Sequence, residues 1–146
     1  MSYKIIIING PNLNLLGERE PEVYGSESLK DLELMVENHI SNSKTNFEVE
    51  FFQSNSEGDI VNKIQESAQS ANGVIINAGG LSHTSVSILD ALLAIKIPKI
   101  EVHVSNLFTR EEFRHSSYIS KGVNGVICGF GLNGYLLAID GINKLL

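Results

Sequence analysis

Arg19 and Tyr24 lie five residues apart in one loop, and Glu101 and His103 lie two apart at the end of an apolar run. Both pairs have the makings of proton-transfer chemistry. An unaided phenol, with a pKa of about 10, is only ~0.1% ionised at neutral pH and is a poor base. A guanidinium beside it favours the phenolate, and Arg19 is the nearest candidate in sequence to do this for Tyr24. A carboxylate beside an imidazole fixes its orientation and favours the protonated ring, which makes a general acid near neutral pH. Residues two apart on a strand leave the same face, so Glu101 and His103 can meet if that run is extended.

Other polar groups end neighbouring apolar runs. Asn9 and Asn12 follow the first run, Asn77-Ala-Gly-Gly-Leu-Ser-His83 follows the third, and Ser105, Asn106, Arg110 and Arg114 follow the fourth. Amides, hydroxyls, imidazoles and guanidiniums converging in one place describe a polar, locally cationic pocket for a small hydroxylated anion such as a carboxylate. Gly79-Gly80 lets backbone N–H groups approach a ligand, and His83 with Thr84 is expected to open the helix that follows. Thr109 as a helix cap would put Arg110 and Arg114 on one helical face. His39 and His115 have no metal-ligand spacing, and no metal or cofactor is expected.

The elements that must position these groups are five apolar runs: Lys4 to Ile8, Glu48 to Phe52, Gly73 to Ile76, Lys99 to Val104 and Gly125 to Cys128. Runs one, three and five are nearly continuous Ile and Val, the pattern of parallel strands buried on both faces. Between them lie helical spacings at Leu29, Leu32, Val36 and Ile40, at Ile60, Val61 and Ile64, and at Val86, Leu89, Leu92 and Leu93; Tyr135 to Leu146 forms a last helix. Ser28 to Asp31 reads as a capping box. Strict strand–helix alternation implies right-handed crossovers and a doubly wound α/β sheet, flavodoxin-like, with five parallel strands in the order 2-1-3-4-5 and helices on both faces. The ligand then belongs beyond the carboxyl ends of the strands, at the switch point between strands 1 and 3. The loop from Asn9 to Gly25 lies there and is far longer than the roughly 2–6 residues such connections need, which marks it as a binding loop or lid.

Residues 1–146 are expected to form one catalytic domain, long enough to bury on the order of 70% of the unfolded surface. With a net charge of −6 the chain lacks the basic surface of a nucleic-acid binder. The single Cys128 permits no internal disulfide and reads as a small core residue. The apolar run behind Met1 is shorter than the ~7–15 residues of a signal-peptide core, and nothing approaches the ~20 apolar residues of a membrane span, so a cytoplasmic location is expected.

These motifs together resemble the type II 3-dehydroquinate dehydratases over essentially the whole chain. The resemblance rests on Gly10-Pro-Asn-Leu-Asn-Leu-Leu-Gly-Glu-Arg-Glu-Pro21 with Tyr24-Gly25, on Asn77 to Ser85, on Glu101-Val-His-Val-Ser-Asn106, on Arg110-Glu-Glu-Phe-Arg-His115 and on Gly129-Phe-Gly131. It implies a flavodoxin-like fold and a cofactor-free anti elimination of water from 3-dehydroquinate through an enolate, in the shikimate pathway. By the same resemblance Tyr24 is the proton acceptor, Arg19 its essential neighbour, His103 the proton donor supported by Glu101, and Asn12 the holder of a water at the enolate oxygen. Asn77, His83, Ser105, the backbone of Val104, and Arg114 would bind substrate. Asp90 would reach a neighbour's site within a dodecamer built of trimers. One segment departs from the family: the strand-3 loop has Ala78, Gly80 and Leu81 where Asn-Pro-Gly-Ala-Tyr-Thr-His is usual.

Two alternatives stand beside this reading. A flavodoxin-like flavin or small-molecule binding module without catalysis shares the fold, but strand 1 ends in Asn-Gly-Pro-Asn, with neither a hydroxyl-rich phosphate loop nor an acidic cluster. A Schiff-base dehydratase needs a lysine in a desolvated pocket, and the lysines here fall at strand starts and on helix surfaces.

Overall fold

The computed structural model describes all 146 residues. Five strands, β1 (Tyr3–Asn9), β2 (Phe47–Gln53), β3 (Gly73–Asn77), β4 (Lys99–His103) and β5 (Gly125–Cys128), form one parallel sheet in the order β2-β1-β3-β4-β5. The expected order is therefore observed. Alternation along the central strands divides the core in two. Ile5, Ile7, Ile75, Ile100 and Val102 face α2 (Leu29–Ser41) and α5 (Asn133–Leu145), while Ile6, Ile8, Val74 and Ile76 face α3 (Glu57–Ser70) and α4 (Val86–Ala94). Residues that read as an unbroken Ile run are thus two interdigitated sets, each buried under its own helix pair.

The helices start where serine supplies a cap. Ser28 Oγ accepts from the Asp31 N–H at 3.3 Å and the Asp31 carboxylate accepts from the Ser28 N–H at 2.9 Å, which is the predicted capping box at α2. Ser56 caps α3, and Ser85 caps α4 by accepting from the Ile88 N–H at 2.9 Å. Ser85 Oγ also donates to Glu57 at 2.5 Å, tying the start of α4 to the start of α3. A four-residue helical turn, α1 (Pro21–Tyr24), lies within the long first loop.

Four expectations need correction. First, β5 is not buried on both faces: α5 covers the Ile127 side, but Val126 is 48% exposed because β5 is the outer strand and nothing lies over its other face. Cys128, at its end, is only half-buried. Second, His83 and Thr84 do not open the helix; His83 closes a 3-10 turn, Gly79–His83, and α4 begins three residues later behind Ser85. Third, Arg110 and Arg114 do not share a helix face. Arg110 is extended between two short 3-10 turns, Leu107–Thr109 and Glu112–Arg114, of which the second contains Arg114. Fourth, the last helix begins at Asn133 rather than Tyr135.

Candidate active site

At the carboxyl edge the first and third strands end in register, Asn9 opposite Asn77, and their loops meet backbone to backbone. Gly10 lies so close to Ala78 that a Cβ there would sit 2.6 Å from the Ala78 carbonyl oxygen. Gly79, at φ +59°, turns in the left-handed region and would meet the Pro11 oxygen at 2.9 Å if it carried a Cβ. These contacts fix the floor of a cavity of about 150 Å³. Tyr135 braces it from below. Its fully buried hydroxyl donates to Asn9 Oδ1 at 2.6 Å and accepts from Asn77 Nδ2 at 3.0 Å. Burial pushes this phenol far above its ordinary value, so Tyr135 is a structural tyrosine and no base.

The cavity gathers Asn12, Arg19, Tyr24, Asn77, His83, His103, Val104, Ser105 and Arg114, nine of the eleven residues singled out from the sequence. Glu101 lies behind His103, fully buried, and is hydrogen-bonded to its Nε2. Asp90 is the exception: it is exposed on α4 and lines no part of the cavity of its own chain. His83 and His103 stack with ring centroids 6.2 Å apart, and His83 Nδ1 lies 2.7 Å from the Ser116 carbonyl, which assigns a proton to that nitrogen. Asn12 holds a left-handed conformation, φ +70°, and its N–H donates to Asn55 Oδ1 at 3.0 Å. Gly79 and Gly80 both line the cavity, but the Gly79 N–H is already donated to Asn77 Oδ1 at 3.2 Å. In the segment that departs from the family, Ala78 is fully buried and Leu81 packs on the core under α3 and α4.

The guanidinium that reaches the Tyr24 oxygen is not the one nearest in sequence. Arg110 Nη1 donates to the Tyr24 hydroxyl at 2.7 Å and to Ser105 Oγ at 3.3 Å. Arg19 lies over the ring face, 5.1 Å from its centroid, and its carboxylate neighbour is Glu20 at 3.7 Å. Arg110 also stands 5.0 Å from the same centroid, so the phenol is flanked by two cations. The sequence marks Arg110 only as a polar residue after strand 4, paired with Arg114 and part of the Arg110-to-His115 motif, and nothing in it ties Arg110 to Tyr24.

Charge in the cavity is one-sided. Arg19, Arg110 and Arg114 line it and no carboxylate does, which suits an anionic ligand. The nearest carboxylate counterweight to Arg114 is exposed Glu111, at 2.8 Å, whose carboxyl is held below the ordinary range by that guanidinium. Burial alone would raise the Glu101 carboxyl, but hydrogen bonds from His103, Ser120 and Ser117 outweigh it and hold the group below its ordinary value. No lysine lines the cavity. The lysine whose pKa burial does lower, Lys99, begins β4 at the opposite end of the strand, with Nζ donating to the Leu92 and Ile95 carbonyls at 3.0 and 2.6 Å. A Schiff-base site is therefore not built here. No group of three His, Cys, Asp or Glu side chains is arranged to hold a metal ion, and no helix is long and apolar enough to cross a membrane.

Comparison with known proteins agrees with this fold. The profile of the family described as Dehydroquinase class II matches residues 3–143. A 3-dehydroquinate dehydratase of Prochlorococcus marinus subsp. pastoris is 52% identical over 142 residues, covering 97% of this chain and 96% of that protein. The 3-dehydroquinate dehydratase 1 of Agrobacterium fabrum is 49% identical over 145 residues, covering 99% of each. The crystal structure of the type II dehydroquinase of Butyrivibrio crossotus superposes with a TM-score of 0.93 at 47% identity, covering 97% of this chain and 98% of that one. By the family match, the identities and the shared fold, the chain belongs to the class II dehydroquinase family.

Proposed function

We propose that the cavity carries out a cofactor-free anti elimination in which Tyr24 and His103 divide the proton transfers. As a class II dehydroquinase the chain is a dehydratase, a hydro-lyase acting on 3-dehydroquinate. Tyr24, as phenolate, takes a proton from the carbon beside the ketone, and the C–H electrons move into an enolate. The enolate collapses to form the new C=C bond, the C–O bond to the leaving hydroxyl breaks, and His103 gives that hydroxyl the proton that makes it water. The product is 3-dehydroshikimate, and no electron acceptor or donor is needed. Tyr24 ends protonated and His103 deprotonated, so one proton must return between turnovers through solvent.

Arg19 and Arg110 stabilise the phenolate from the ring face and from the oxygen, Asn12 holds a water at the enolate oxygen, and Glu101 supports His103. Asn77, His83, Ser105, the Val104 backbone and Arg114 bind the hydroxyls and the carboxylate. Asp90, exposed on α4, serves a neighbouring copy in a dodecamer built of trimers. All 146 residues act as one catalytic domain, in the cytoplasm.

The observation that carries this reading is that one cavity lined by three arginines and no carboxylate holds both a phenol hydrogen-bonded to a guanidinium and an imidazole backed by a buried carboxylate. The test is to add 3-dehydroquinate and follow the ultraviolet absorbance of the conjugated enone product, with borohydride in a parallel sample. A rise that borohydride leaves unchanged is expected. No rise, or inactivation by borohydride, overturns the reading. Arg19→Ala is expected to lose at least ~100-fold in turnover, the scale of a lost charge stabiliser.

A further inference from the structure

Glu101 is the only carboxylate among the buried residues, and its only ion-pair partner is His103. Burying a carboxylate favours its protonated form unless donors replace the water it has lost. Those donors are two serines. Ser120 Oγ donates to Glu101 Oε1 at 2.5 Å and Ser117 Oγ donates to Oε2 at 2.9 Å, where His103 Nε2 also bonds. Both come from the segment leading into and through the 3-10 turn Ile119–Gly122, which is pinned by fully buried Ile119 and by the Tyr118 N–H donating to the Ser82 carbonyl at 2.8 Å.

An ionised carboxylate only accepts hydrogen bonds, so three donors converging on Glu101 leave the pair's proton on the histidine. With Nε2–H spent on Glu101, the remaining ring nitrogen, Nδ1, is the one left for the cavity that His103 lines. Other groups around this ring do not favour its charge. His83 stacks on it from the β3 loop, Cys128 of β5 is its partner in strand register, and Arg19, Arg110 and Arg114 share its cavity with Tyr24. Three guanidiniums disfavour a fourth positive charge.

We propose that Ser117 and Ser120 are positioning residues for the acid half of the reaction: their hydroxyls keep Glu101 ionised, and the ionised Glu101 keeps His103 in the imidazolium form that protonates the leaving hydroxyl. The proposal rests on His103 being the proton donor. The two serines are unequal. Ser120 Oγ bonds only to Glu101, whereas Ser117 Oγ is shared with the Ser82 carbonyl at 3.3 Å. Ser120 therefore carries the larger share.

The test compares Ser120→Ala, Ser117→Ala and Ser120→Thr with the parent protein, by the pH profile of kcat and by ¹⁵N NMR titration of His103 in the ligand-free protein. Removing a donor destabilises the Glu101 carboxylate and shifts the pair's proton from His103 toward Glu101, so the imidazolium population, and with it kcat, falls across the plateau of the profile without moving the basic limb to lower pH. Ser120→Ala is expected to lower the plateau by up to about tenfold, the scale of one hydrogen bond to a charged group. Ser117→Ala should lower it less, and Ser120→Thr should restore the parental plateau. The ¹⁵N signals of His103 should move toward those of the neutral ring in the same order. A folded Ser120→Ala variant with the parental profile and the parental titration overturns the proposal. If Ser120→Ala does not fold, the Ser117→Ala titration decides, with a smaller loss of the imidazolium signal on the plateau expected and an unchanged signal overturning it. Full turnover by His103→Ala would instead overturn His103 as the donor, and the NMR arm would still report whether the serines set its protonation.

Discussion

Replacing Arg110 with alanine is the sharpest probe of how the proposed base, Tyr24, is held. The substitution removes a 2.7 Å hydrogen bond to the Tyr24 oxygen, a cation 5.0 Å from the ring centroid, and a 3.3 Å contact to Ser105. The first of these should dominate, because the oxygen is where charge resides in the reactive phenolate. A hydrogen bond to a charged group contributes about 1.5–3 kcal/mol, which is roughly 10- to 150-fold in rate if it is fully expressed during proton abstraction. Arg110→Lys should recover only part of the loss: an ammonium is a point charge on a shorter stem and does not reproduce the planar guanidinium whose Nη1 bonds Tyr24 and Ser105. The assay is steady-state formation of the enone by ultraviolet absorbance, with thermal melting to establish folding. Arg110 is half-buried and its backbone carbonyl still accepts from His115 Nε2, so the fold should survive. A folded Arg110→Ala variant within threefold of the parental kcat would refute the claim that this guanidinium activates Tyr24.

Three further outcomes follow from the same contacts. Tyr135→Phe removes the hydroxyl shared by Asn9 and Asn77 and should cost about 1–3 kcal/mol in chemical denaturation, because two buried amides each lose a partner. Gly10→Ala forces a Cβ against the Ala78 carbonyl and should cost about 1–3 kcal/mol, with a loss of turnover as the two loops separate. Glu101, whose folded pKa lies below its ordinary value, contributes stability that is present above the unfolded pKa and is lost as pH falls through the folded one. The melting temperature should therefore drop on acidification below about pH 4.3, and Glu101→Gln should lower it at neutral pH while flattening the acid slope.

Much of this was legible in the chain itself. Strand order follows from five apolar runs alternating with helical spacings, and the Glu101–His103 contact follows from a two-residue interval on a strand. What resisted reading was decided by approach in three dimensions. Which arginine meets the Tyr24 oxygen depends on two loops 86 residues apart in sequence, and the nearer arginine, Arg19, takes the ring face instead. Tyr135 fits the apolar stripe of α5, so periodicity hides the hydroxyl that braces Asn9 and Asn77. Ser117 and Ser120 look like ordinary loop serines until the Ile119–Gly122 turn brings them onto Glu101. His83 lies outside the helix because Gly79, closing at positive φ against Pro11, turns the loop into a separate 3-10 turn before Ser85 caps α4. For Asp90 the chain by itself offers no contact to read.

The central claim is that Tyr24 is the base of an elimination that needs neither cofactor nor imine. It is tested most directly by Tyr24→Phe, which keeps the ring between Arg19 and Arg110 and removes only the oxygen. Given 3-dehydroquinate, the parent protein should produce the enone absorbance, and the folded variant should lose at least ~100-fold in turnover, the scale of a missing general base. Near-parental turnover by Tyr24→Phe would contradict the account.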